Sequence, residues 1–294
     1  MKLSTSTNLI CERPDGRILP LIETLQWISS TAIPYVDMSF YEYAYPGQPF
    51  VSDHWRNWIE NAAEKAEQLG LKFYQSHAYT YDFLSEKLTE EEAARQEMLV
   101  ERSIECCRIL GTKVLVTHPS TFRQCDSPHT FSRMKNREYF EKYAEKAVKA
   151  GMRVAVENMV AYLGDRYVFF SDPDEINDFM RDMNDERIGI CWDFEHGTIM
   201  ELDQPAALRQ FGEKLIATHV SDAVSQTYEP FMHVLPFTGE TDWNLIRKVL
   251  AEIGYEGAFS FEAHNFMKRI PDALAPVALA YVSELGRYLT GTEK

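Results

Sequence analysis

A chain of 294 residues with 45% hydrophobic side chains can bury one large core, and its length is ordinary for a single barrel of alternating strands and helices. Its 30 Lys and Arg against 45 Asp and Glu leave a formal charge of −15, which opposes docking on a nucleic-acid backbone, where clustered cations must displace counterions. Met1–Ile10 has one charged side chain and no long apolar run, so neither a signal peptide nor a membrane span is expected there. Five cysteines without a CxxC pair argue against a disulfide framework and for a reducing cytoplasm.

Strand-like runs begin near Lys2, Tyr35, Lys72, Lys113, Arg153, Ile188, Leu215 and Ala258, and helical patterns lie between most of them. Trp55, Trp58, Ile59, Ala62, Ala63 and Ala66 fall at helical spacing, which predicts a helix over 55–69 that stops at Gly70. Thr89-Glu-Glu-Glu92 is a capping box opening a helix to Leu110, before Gly111. Further helices are predicted from Glu138 to Ala150, after the Asp172-Pro173-Asp174 N-cap, from Trp243 to Ile253, and from Ala273 to Leu289. Eight strands alternating with helices predict a parallel sheet closed into a single (β/α)8 TIM barrel, with residues 1–294 as one domain. The longer connections follow the strands: Phe40–Gly47, Tyr79–Phe83, Ser120–Met134 and Ser221–Gly239. Such loops carry the chemistry of barrels. The aromatic residues of the first two suit stacking on a sugar or flat ring, or packing of the loops on the rim. Cys191 lies inside a predicted strand and reads as core filler.

Four side chains mark the ends of the later runs: Glu157, Asp193, His219 and Glu262, at spacings of 36, 26 and 43 residues. In a barrel these positions converge on one mouth, and three carboxylates converging there would repel one another without a cation between them. They are therefore the candidate ligands of a divalent metal. An oxygen-rich set with one imidazole favours Mn2+, Mg2+ or Co2+ over a structural Zn2+. Of the eight histidines, His77, His118, His196, His219, His233 and His264 fall at or just beyond predicted strand ends, while His54 and His129 do not. His77, His118, His196 and His233, with Asn158 beside Glu157, are the candidate substrate-binding residues.

Thr5-Ser6-Thr7-Asn8, Val156-Glu157-Asn158, Cys191-Trp192-Asp193-Phe194-Glu195-His196, Thr218-His219-Val220-Ser221-Asp222, Leu235-Pro236 with Gly239 and Asp242-Trp243, and Ser260-Phe261-Glu262 run in order along the chain. Together they resemble the xylose-isomerase-like TIM-barrel superfamily, and within it the sugar phosphate isomerase/epimerase group, which includes ketose 3-epimerase-like and inosose-dehydratase-like proteins. The resemblance implies one divalent metal, manganese or a close relative with Zn2+ also open, held at Glu157, Asp193, His219 and Glu262. It further implies that Glu157 and Glu262 flank the substrate carbon and exchange its proton, and that His196 contacts substrate. The implied activity is a metal-dependent sugar, polyol or keto sugar isomerase or epimerase, working next to a carbonyl through an enediolate held at the metal. A dehydratase or lyase using the same enediolate is the alternative.

Two departures from the ketose 3-epimerases stand out: Leu163 replaces a second glutamate, and Ser225 replaces an arginine six residues after the metal histidine. The acidic Ser221-Asp222-Ala223 loop lacks a glycine cradle, which favours a neutral carbohydrate over a phosphorylated one. Apurinic-site endonucleases resemble the same pattern at His77, His118, Glu157, Asp193, His196, His219, His233 and Glu262, but Phe231 stands where they carry an aspartate. That replacement and the charge of −15 favour a small carbohydrate substrate, with no nucleic acid and no membrane, and leave a homo-oligomer open. A barrel that binds metal or carbohydrate without turnover is the third class.

Overall fold

The runs are short and rich in β-branched and aromatic residues, and the period of two gives each strand one face toward the helices and one toward the barrel interior. The computed structural model describes residues 1–123, 126–161, 167–224 and 232–292; Cys125, Leu163, Ser225 and Phe231 lie outside them. The strands are β1 (Lys2–Ser6), β2 (Tyr35–Ser39), β3 (Lys72–His77), β4 (Val114–Thr117), β5 (Arg153–Glu157), β6 (Ile188–Asp193), β7 (Leu215–Val220) and β8 (Ala258–Phe261). All neighbouring pairs are parallel, and β8 closes on β1 to complete the barrel.

The alternation sorts residues by layer. Val154, Val156, Ile188, Ile190, Trp192, Phe259 and Phe261 join the large cluster between barrel and helices. Val116, Ala155, Cys191 and Ala217 form a smaller cluster inside the barrel. Glu157, Asp193 and His219 each lie two residues beyond one of these interior positions, so the period of two aims them inward as well.

Helices follow from local signals. Thr89 Oγ1 accepts from Glu92 N at 3.2 Å and Glu92 Oε2 accepts from Thr89 N at 2.8 Å, so the capping box opens the helix Glu90–Leu110; Gly111 ends it at φ 76°. Asp172 caps Pro173–Met183 through two backbone N–H groups. The helices at Trp55–Gln68, Trp243–Glu252 and Ala275–Thr290 differ from expectation by one or two residues at an end.

One boundary differs more. The helix expected from Glu138 starts at Pro128 and runs to Lys149, so the loop expected over 120–134 is shorter. The first turns bury Ser132 and Asn136 rather than aliphatic residues, and so carry no hydrophobic period. Ser132 Oγ accepts from Phe122 N at 2.9 Å, and Asn136 accepts from Ser120 N at 3.0 Å while donating to Ser120 O at 2.7 Å. These turns exist to hold the loop after β4.

Cys11, Cys106, Cys107 and Cys191 are buried free thiols, and burial pushes the Cys191 thiol up, consistent with inert core filler. Among the described residues no helix is long and apolar enough to cross a membrane.

Candidate active site

Register carries the interior residues of β5 to β8 to one mouth. Glu157 lies opposite Cys191, Asp193 opposite His219, and His219 opposite Ser260. A β-bulge between Ile190 and Cys191 shifts β6 against β7 and sets the Asp193–His219 pairing. Glu262 follows the last residue of β8, and its backbone N–H still donates to Val220 O at 3.0 Å.

Glu157, Asp193, His219 and Glu262 each offer one ligand atom, all within 4.8 Å of one another, and all four side chains are buried. His219 Nδ1 lies 2.9 Å from Glu262 Oε2 and 3.1 Å from Glu157 Oε1, yet neither contact has the alignment of a hydrogen bond. Asp193 Oδ1 accepts from His196 N at 3.0 Å and caps the short helix Phe194–Ile199, while its Oδ2 is buried without a partner. Such orphaned acceptors are costly unless a cation or water meets them. The donor set therefore fits a divalent cation.

Each glutamate keeps one oxygen in the cluster and has the other held outside it. Asn8 Nδ2 donates to Glu262 Oε1 at 2.8 Å. Glu157 Oε2 lies 3.3 Å from His77 Nε2 and 3.2 Å from His118 Nε2, and those two nitrogens are 2.9 Å apart. His77 Nδ1 donates to Ala78 O at 2.9 Å, which turns its Nε2 toward the mouth.

The electrostatics follow from this packing. Burial opposes ionisation of both glutamates, but the adjacent His219, joined by His118 at Glu157, outweighs it and holds both carboxyls low. Asp193 moves the other way, pushed up to about 6 by burial, with the neighbouring Glu157 and Glu262 adding to the rise against His196 and His219. Burial disfavours charge on His77, but the Glu157 contact prevails and pushes it up to about 9. Burial prevails at His118 and lowers it. Thus two glutamates held ionised by their imidazole neighbours sit beside a carboxyl that is reluctant to stay charged without a cation.

The remaining candidates have different surroundings. Asn158 is fully buried and bound to the Asp193 backbone, accepting from its N–H at 2.6 Å and donating to its carbonyl at 3.1 Å. His196 Nδ1 donates to Asn158 O at 2.7 Å and lies 3.8 Å from Glu157 Oε1. His233 sits in the loop after β7 at φ 48°, a conformation that is uncommon for a side chain of its size. Its ring lies 3.3 Å from buried Glu195 and packs against His264 at 4.1 Å, and its backbone N–H also donates to Glu195. Asn8, Asp37 and Glu195 were not among the candidates, though Asn8 and Glu195 fall inside motifs that carried the resemblance. Of the aromatic loops, Phe40 and Tyr43 pack beneath the rim against Phe50 and Trp58, whereas Tyr41 is 63% exposed.

Residues 26–283 match the xylose isomerase-like TIM barrel family, and the chain belongs to that family. Solved structures share the fold at low identity. A D-tagatose 3-epimerase-like protein superposes with a TM-score of 0.74 at 17% identity over 99% of each chain. The E. coli 3-keto-D-glucoside 4-epimerase YcjR gives 0.71 at 18%, covering 97% of this chain and 99% of its own. The IOLI protein, crystallised with a zinc atom bound, gives 0.77 at 17% over 99% of each. The uncharacterized protein y4fM of Sinorhizobium fredii (strain NBRC 101917 / NGR234) is 27% identical over 168 residues, 56% of this chain and 51% of that relative. The match thus spans about half the relative's length.

Proposed function

We propose that the protein is a divalent-metal-dependent isomerase or epimerase of a small sugar, polyol or keto sugar, acting by proton abstraction next to a carbonyl. The observation that carries this reading is the buried cluster of Glu157, Asp193, His219 and Glu262, with two ionised glutamates converging on one imidazole. The sugar epimerases among the structures that share the fold support the substrate class. Glu157, Asp193, His219 and Glu262 would hold a divalent cation, Mn2+ in the first instance, which would supply Lewis-acid polarisation of the substrate carbonyl.

Glu157 or Glu262 removes the proton from the carbon beside that carbonyl, and the other glutamate returns one. Return to the opposite face of the same carbon is epimerisation, and return to the neighbouring carbon is isomerisation. The outer contacts to Asn8, His77 and His118 orient each carboxylate. His77, His118, His196 and His233 would meet the hydroxyl groups of the sugar, with Asn158 holding the Asp193 backbone beneath them. Loss of a β-hydroxyl from the same enediolate would make the protein a dehydratase.

The reading is tested with chelator-stripped protein, reloaded with Mn2+ or left bare, incubated with a panel of keto sugars and inososes, and analysed for new stereoisomers by NMR. We expect turnover of at least one substrate only after reloading. Equal turnover by the bare protein would contradict the role of the metal, and no turnover across the panel would contradict the substrate class.

A further inference from the structure

Beneath the four-residue cluster lies a polar layer that none of the roles above uses. Asp37, on β2, is fully buried in the barrel interior, one strand removed from β8 across β1. Its Oδ2 accepts from Gln75 Nε2 at 2.6 Å and from Ser260 Oγ at 3.1 Å, and lies 3.4 Å from His219 Nε2, which is buried with no aligned hydrogen-bond partner and has this carboxylate within reach. Gln75 Nε2 also donates to Thr218 O at 3.2 Å, which fixes the amide's orientation and ties the layer to the residue before His219. No Lys or Arg pairs with Asp37 among the described residues, so His219 is the one basic group it meets.

The backbone is adjusted to make this contact. β2 and β3 shift register between Val36 and Asp37, so that Val36 lies opposite Phe73 and Asp37 opposite Gln75. β2 keeps its period of two, with Val36 and Met38 in the outer core and Asp37 inward, while the extra residue Tyr74 on β3 brings Gln75 opposite Asp37. A histidine that ligates a metal through one nitrogen needs its proton on the other, and a carboxylate partner on that second nitrogen fixes both tautomer and ring angle.

We propose that Asp37 is a positioning residue that accepts the Nε2–H of His219 and so leaves the Nδ1 lone pair free for a cation that Glu157, Asp193 and Glu262 would hold with it. Gln75 and Ser260 hold the accepting oxygen in place. The role rests on the reading of that cluster as a cation site. It makes Asp37 a determinant of cation affinity without making it a ligand.

The experiment compares wild type, Asp37→Asn and Val154→Ala by calorimetric titration with Zn2+ and Mn2+ alone. The His219 ring of the Zn2+-loaded protein is followed by nitrogen NMR. Val154→Ala removes buried volume from the same barrel without touching the layer. We expect Asp37→Asn to bind ten- to a hundredfold more weakly, and Val154→Ala within threefold of wild type. Wild type should show zinc on Nδ1 and a solvent-protected proton on Nε2. Equal loss in both variants, or affinity within threefold for Asp37→Asn, would overturn the proposal alone. No cation binding by wild type would overturn the cation reading with it. Should Asp37→Asn fail to fold, the wild-type spectrum decides: zinc on Nε2 refutes the role of Asp37.

Discussion

Glu262 reaches the His219 imidazole from beyond the adjacent β8 and Glu157 from β5, two strands away, and this asymmetry allows their roles to be separated by substitution. Glu262→Gln preserves size and the Asn8 contact but cannot accept a proton. We expect native circular dichroism with turnover reduced by about 10²-fold or more, the usual contribution of a general base. A loss below tenfold, about 1.4 kcal/mol of barrier, would leave Glu262 as a ligand only. Asn8→Ala removes a hydrogen bond to a charged oxygen, and such bonds contribute about 1.5–3 kcal/mol. Its kcat should fall by roughly tenfold or more with the fold intact, measured against wild type at saturating cation. The four cluster residues were legible because each follows a strand-like run, and the strand ends of a barrel converge on one mouth. Asn8 was not legible as a Glu262 partner, because the contact joins the two ends of the chain and depends on β8 closing against β1. Asp37 was hidden for another reason: a single acid in a strand reads as solvent-facing, and only the closed barrel shows that the inner face of β2 is buried.

At the level of elements, Asp222 ties the end of the loop after β7, from Gly239 to Trp243, back to the end of that strand. Asp222 accepts from the backbone N–H groups of Ala223 at 3.0 Å, Gly239 at 3.0 Å and Thr241 at 3.1 Å, and from Trp243 Nε1 at 2.9 Å. Asp222→Ala would strand these donors. We expect it to lower unfolding free energy by about 3 kcal/mol or more in urea titration, since each buried unsatisfied donor costs about 1–3 kcal/mol. A loss under about 1 kcal/mol would show that water replaces the carboxylate. Gly239 is required for a separate reason: a Cβ there would come within 2.4 Å of Ala223 O and Asp222 Oδ1. Gly239→Ala should therefore destabilise the same loop and reduce turnover, because His233 sits on it. The strand starts and the capped helices were legible from apolar runs, N-caps and closing glycines. The start of the helix at Pro128 was not, because its inward face is Ser132 and Asn136, serving a loop rather than a core.

For the whole molecule, the closed barrel and its charge of −15 set what can reach the mouth. Cation binding to the folded state alone should raise the melting temperature with concentration, by about 2.7 kcal/mol of stability at a hundred times Kd. An abasic DNA duplex should be neither bound nor nicked by the metal-loaded protein at moderate salt. Nicking that disappears in Glu157→Ala would reassign the substrate class while leaving the barrel and its cluster intact. The most direct test of the central claim is isotope exchange. Metal-loaded wild type and Glu262→Gln are incubated in D2O with whichever keto sugar or inosose is turned over, and deuterium is located by NMR and mass spectrometry. We expect wild type to place one deuterium on the carbon beside the carbonyl, and Glu262→Gln to place none. Turnover by wild type without solvent deuterium at that carbon, in substrate or product, would contradict proton abstraction by these glutamates.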